Sequence, residues 1–235
     1  MQAYAQGYAF SSASGVPVTY GYETAADLNL KPLADLNITK VEMAAAQGFR
    51  TSSPITITVS VDSDQTPYYQ YWVSRDYGGS TPDNWILLQT YTTDNSLVWT
   101  PPSEARYIIV AWVTDDPDHH APQMGGISVT AGPTADARIG SIVANAPASG
   151  SAQAQVILTT SLAEQTTTHY YQYSVGDNYG YPPEMQSWQA ITDYSGDNRG
   201  VWTPLMPGYY TTLVEVSADG GDATPEIAGM TWVMH

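Results

Sequence analysis

Cysteine is absent from the 235-residue sequence. That excludes a disulfide framework, a thiolate zinc site and a cysteine nucleophile. It leaves the compartment open, because a chain without thiols suits oxidising and reducing surroundings equally. Basic residues are scarce: 7 Lys plus Arg stand against 23 Asp plus Glu, a formal charge of −16. A nucleic-acid partner requires a basic footprint to neutralise phosphates, so no such partner is expected. Charge of either sign covers only 13% of residues, about half the ~25% of an ordinary domain. No run approaches the ~20 apolar residues of a membrane helix, so no membrane insertion is expected. Residues 1–15 carry no Lys or Arg ahead of a hydrophobic stretch, so no leader is expected within this numbering. Phenylalanine is nearly missing too, at 2 residues.

What the chain has is tyrosine and tryptophan, 18 and 7 residues respectively. With the β-branched residues they supply ample surface to bury, which argues against disorder. They also recur. Tyr68-Tyr69-Gln70-Tyr71 returns as Tyr170-Tyr171-Gln172-Tyr173, and Val98-Trp99-Thr100-Pro101 returns as Val201-Trp202-Thr203-Pro204. Trp85 matches Trp188, Tyr107 matches Tyr210, and Gly126-Ile127 matches Gly229-Met230. The offset is 102 residues, then 103, as one insertion between two copies of a domain requires. The copies span 38–131 and 138–235, joined by 132–137, and residues 1–37 stand outside the repeat as an arm.

Within a copy the period is two. Ile55 to Val61 alternates strictly, and in 68–73 Tyr69, Tyr71 and Val73 share one face while Tyr68, Gln70 and Trp72 share the other. The run Tyr107–Val113 is apolar throughout and reads as a central strand buried on both sides. Only Thr24–Leu30 suits a short helical turn. Seven strands are expected in copy one, near 38–45, 55–61, 68–74, 85–90, 95–100, 106–114 and 126–130, with Pro and Gly between them. The fold expected is all-β: two tandem immunoglobulin- or fibronectin-III-like β-sandwiches plus an extended N-terminal arm.

The order of an aromatic strand (YYQYWV, YYQYSV), a lone Trp, a Trp-Thr-Pro turn and a Tyr-led strand resembles the triple-tyrosine-motif repeats. These are fibronectin-III-like modules of bacterial sensor ectodomains and secreted surface proteins. The segment Pro207-Gly208-Tyr209, running on to Asp219-Gly220, matches most closely. Copy one departs from it, with Ser103-Glu104-Ala105-Arg106 before Tyr107. The resemblance implies an accessory or scaffold module with no family active site.

Catalytic signatures are lacking: there is no HExxH, GxSxG, P-loop or GxGxxG. His119 and His120 fall on a polar, Pro-flanked turn, so no enzyme and no cofactor are expected. Two acidic loops at equivalent positions, Asp115, Asp116, Asp118 and Asp219, Asp222, are candidate calcium ligands, because hard cations take several oxygens; turn chemistry explains Asp there equally well. Trp85, Trp99, Trp188, Trp202, Tyr107 and Tyr210 are expected in the sandwich cores. Tyr4, Tyr8, Phe10, Val18, Tyr20 and Tyr22 of the arm, with Tyr77, Tyr179 and Tyr181 on loops, are expected at an interface. Asn37-Ile38-Thr39 is a glycosylation sequon.

These features point to a structural subunit of an extracellular filament or cell-surface assembly, polymerising with copies of itself through aromatic faces and the arm. A carbohydrate-binding or adhesion module and a virion decoration protein are the alternatives.

Overall fold

The computed structural model describes residues 2–3, 11–12, 32–75, 85–132, 137–145, 153–165, 168–177, 187–220 and 225–235. A two-residue pair, β1 (Gln2–Ala3) with β2 (Ser11–Ser12), stands apart from the rest. Repeat one folds as β3 (Asn37–Ala44), β4 (Ile55–Asp62), β5 (Tyr68–Arg75), β6 (Ile86–Thr92), β7 (Ser96–Trp99), β8 (Ala105–Thr114) and β9 (Gln123–Ala131). Repeat two follows as β10 (Ala137–Asn145), β11 (Val156–Gln165), β12 (Tyr170–Asp177), β13 (Trp188–Ala190), β14 (Arg199–Trp202), β15 (Gly208–Ser217) and β16 (Glu226–Met234). The seven strands of repeat one lie where alternation and turn residues put them.

The strands form two stacked sheets, both running through the two repeats. One has six strands in the order β14-β11-β10-β3-β4-β7. The other has eight, in the order β13-β12-β15-β16-β9-β8-β5-β6. Each repeat is a sandwich, and the two sandwiches are joined edge to edge. In the six-stranded sheet the first strands of the repeats pair antiparallel, Val41 with Ile142 and Lys40 with Val143. In the eight-stranded sheet the last strands pair, Gly126 with Gly229, flanked by Ile127 with Ala228 and Gly125 with Met230. Lys40 is the sequence counterpart of Ile142, and Gly126 of Gly229. Both registers are therefore those of a two-fold axis passing through the seam. The molecule is built like a symmetric dimer within one chain.

One core fills both halves, from Ile38, Ile57, Tyr71 and Ile109 to Ile142, Leu158, Tyr173 and Trp232. Alternation decides who enters it. Tyr69, Tyr71 and Val73 point inward, and so do Tyr171, Tyr173 and Val175. The sheets are tied by matched tyrosines. Tyr71 donates its hydroxyl proton to Asn95 O at 2.6 Å, and Tyr173 to Asn198 O at 2.5 Å. Asn95 and Asn198 in turn donate to Val59 O and Thr160 O. A second matched pair closes the loops before β8 and β15: Tyr107 donates to Ser103 O and Tyr210 to Met206 O. This is the tyrosine corner of immunoglobulin-type sandwiches.

Two contacts fasten the seam. The Asn37 amide donates to Val233 O and accepts from Val233 N, joining the first strand of repeat one to the last of repeat two. Arg138, buried just after the link, donates to Thr130 O and Gly132 O and lies over the Phe49 ring at 5.5 Å.

Candidate functional site

The outer face of the eight-stranded sheet holds a trough of about 620 Å³, centred on the seam. Gly126 and Gly229 face each other across it with no side chain to fill the floor. That emptiness is structural as well. A Cβ on Gly229 would stand 2.5 Å from Thr212 O, and one on Gly126 would stand 3.2 Å from a Val110 methyl. Glycine lets the strands close and leaves a groove above them.

The walls differ. Repeat one gives Trp72 from β5 and Trp112 from β8, ring centroids 5.3 Å apart at 42°. Trp85, just before β6, and Val110 extend that wall. Repeat two gives Leu213 and Thr211 from β15. A polar tie on the aromatic wall holds a ring in place: Trp72 Nε1–H donates to Gln70 Oε1 at 3.0 Å. Among the named lining residues the side-chain polar groups are the tryptophan indole N–H groups and the hydroxyls of Thr211 and Thr231, and Thr231 Oγ1 already donates to Gln123 Oε1. The trough is suited to apolar contact.

Trp85 and Trp188 were expected in the core and are not there; they are 43% and 51% exposed. They keep their repeat register, but each sits at the entry to an edge strand and turns outward. Trp188 lies flat over β12, where a Cβ on Gly176 would come within 2.9 Å of its ring. Trp99 and Trp202 are half-buried, and their rings meet Tyr107 and Tyr210 edge-on at 5.0 and 4.9 Å. Tyr107 is buried and Tyr210 is half-buried against the core. The expectation that Tyr107–Val113 is covered on both sides is also corrected. Tyr107, Ile109, Ala111 and Val113 are buried inward, while Val110 and Trp112 are half-buried on the outer face and line the trough.

The acidic residues engage near neighbours. His120 Nδ1 lies 2.7 Å from Asp115 Oδ1, and His119 Nδ1 lies 2.9 Å from Asp116 Oδ2. Asp116 also accepts the backbone N–H groups of Asp118 and His119. Desolvation pushes the Asp116 carboxyl up, and these hydrogen bonds with the nearby His119 outweigh it, holding the group below the usual carboxylate range. Asp219 accepts the Ser217 hydroxyl at 2.5 Å. Among the described residues no three His, Asp or Glu side chains gather as a metal site. Asp222, and the interface residues Tyr4, Tyr8, Phe10, Val18, Tyr20, Tyr22, Tyr77, Tyr179 and Tyr181, lie outside the described residues, as does the helical turn expected at 24–30.

No family model and no curated protein matches the sequence. Solved structures that it resembles include a segment of two fibronectin type III domains from chicken tenascin. That likeness has 12% identity and a TM-score of 0.29, and covers 83% of this chain and 98% of that one. Another is chicken CNTN1 domains FN1–FN3, with 11% identity and a TM-score of 0.27, covering 87% of this chain and 70% of that one.

Proposed function

We propose that the protein is a structural subunit of an extracellular filament or surface assembly, whose copies join through the free ends of their sheets. The observation that carries this reading is the chemistry of the two outer edges. Strands β7 and β14 end the six-stranded sheet on opposite sides, and they carry Val98 and Val201, 66% and 45% exposed. Nearby stand exposed Ile86 and Leu87 at one end, and Leu205 and Met206 at the other. Solitary proteins blunt such edges with lysine, proline or a covering loop. Strand β7, Ser96-Leu97-Val98-Trp99, has no charge at all. Because β7 and β14 are repeat counterparts at opposite ends, joining one copy's β7 to the next copy's β14 lengthens the sheet without closing it, and such contacts grow filaments. The charge of −16 then opposes lateral clumping of the assembled surfaces. The extracellular setting rests on the sequence resemblance to surface-protein modules.

Negative-stain microscopy and sizing of the purified chain test this reading. Wild type forms filaments or a concentration-dependent ladder of oligomers, and Val98→Lys or Val201→Lys returns it to monomer. A wild-type chain that stays monomeric at every concentration overturns the proposal.

The exposed faces of Trp85 and Trp188 support the second reading, a carbohydrate-binding module, since sugar rings stack on such platforms. A glycan array that binds wild type and loses binding with Trp188→Ala decides for it.

A further inference from the structure

The trough is a contiguous, mainly apolar surface at the middle of a sheet, with tryptophan rings along one wall. We infer that its occupant is the chain's own N-terminal segment, with Val16, Val18, Tyr20 and Tyr22 seated against Trp72, Trp112 and Leu213.

Three observations converge on this segment. The first is its pattern. In Val16-Pro-Val-Thr-Tyr-Gly-Tyr22 the large apolar residues take alternate positions, so an extended backbone presents all four on one face. Pro17 lies on the opposite face and cannot donate to a ladder. A one-sided apolar stripe of this kind suits the segment to lying across a sheet face. The two tyrosines bring apolar rings with hydroxyls that reach out to water.

The second is its length. From Trp72 on β5 to Leu213 on β15 the trough crosses four strand spacings, about 19 Å at ~4.8 Å each. Seven extended residues at ~3.3 Å cover about 20 Å. The third is its point of attachment. Pro32 O accepts Ala121 N–H at 2.6 Å, and Ala34 N–H donates to Ala121 O at 2.8 Å. Gln123 Nε2 donates to Ala34 O at 2.9 Å. The next residue, Met124, lines the trough. The segment thus joins the body within a few residues of the trough wall, and residues 23–31 supply about 30 Å of reach at ~3.3 Å per residue. A second copy's segment has no such tether, and its local concentration is lower for that reason.

The absence of cysteine makes the test unambiguous, since any disulfide must be the one introduced. The full-length chain carrying Tyr20→Cys with Met124→Cys, and a second carrying Val18→Cys with Val110→Cys, are oxidised at low protein concentration. The control pairs Tyr20→Cys with Val201→Cys at the far sheet end. The expected result is an intramolecular disulfide in at least one trough pair and none in the control. In parallel, hydrogen exchange on the cysteine-free wild type reads slow exchange over 16–22, lost in Trp112→Ala. Disulfides that form only between chains give the trough to a second copy and overturn the assignment. No trough disulfide above the control, together with unprotected amides over 16–22, overturns it outright.

Discussion

Tyr71 and Tyr173 do the same work at equivalent places, each carrying a hydroxyl across the core to the carbonyl of the asparagine just before an edge strand of the opposite sheet. Tyr173 has the richer set of partners, because Thr160 Oγ1 lies a further 2.8 Å away. Tyr173→Phe keeps the ring and removes the hydroxyl, while Asn198 O keeps the Thr160 N–H at 3.0 Å. The expected loss is about 0.5–1.5 kcal/mol in denaturant unfolding. The control Tyr170→Phe, on the outer face, should stay within about 0.5 kcal/mol. A loss no larger than the control's would mean the hydroxyl carries no structural weight. The same burial gives a pH signature. Desolvation pushes the Tyr173 phenol up to about 12, and it raises Tyr69, Tyr71 and Tyr171 above their ordinary value of 10 as well. A phenol that holds its proton more tightly when folded stabilises the fold fully below pH 10. That contribution drains away as pH climbs through 12. Denaturant midpoints should fall across this window, with phenolate absorbance rising together with unfolding. Midpoints flat to pH 12 would contradict it. The sequence showed which tyrosines share a face through strict alternation, but not that an asparagine some 24 residues on would receive each hydroxyl. Nothing local in the chain marks a contact between sheets.

At the scale of the strand, outward positions were the harder ones to read. Alternation placed Trp72 opposite Tyr71 and so announced an exposed aromatic, but the run around Trp112 hid its face, since a strand apolar at every position matches burial on both sides. What distinguished them lay across the sheet, in Gly126 and Gly229, where the missing side chains open the trough. Trp85 and Trp188 misled for a related reason: conserved register within the repeat reports a shared fold position, and that position faces outward at an edge. Strand β3 offers a prediction of its own. Asn37 heads a sequon, yet both halves of its amide are bonded to the backbone of Val233, which is buried. A sugar on Nδ2 would compete with the amide's bond to Val233 O on β16. Mass spectrometry of protein from a glycosylating host should find Asn37 unmodified, and Asn37→Ala should lower stability by about 1–3 kcal/mol through the two bonds lost at Val233. Full glycosylation of a stable, folded product would show that the clamp is dispensable.

For the whole molecule, the repeat was legible at once and the seam was not. Pairing between strands a hundred residues apart leaves no turn signal, and two copies in tandem are equally compatible with beads on a string. Joining them edge to edge removes four edges that separate sandwiches would expose, those of β3, β10, β9 and β16. It also merges the interiors into one cluster that runs from Ile57 in repeat one to Leu158 in repeat two. A core shared in this way cannot be half dissolved without exposing the seam, so the two repeats should unfold together. Calorimetry is expected to show a single transition, with calorimetric and van't Hoff enthalpies equal for the full chain. Ile57→Ala and Leu158→Ala, each costing about 2–5 kcal/mol, should both lower that one transition. Separate domains behave differently: two transitions would appear, each mutation would move only its own, and the van't Hoff enthalpy would match half the chain. That outcome would mean the seam is an adhesive contact between independent units, and the free ends of the sheets would then compete with the seam for partners.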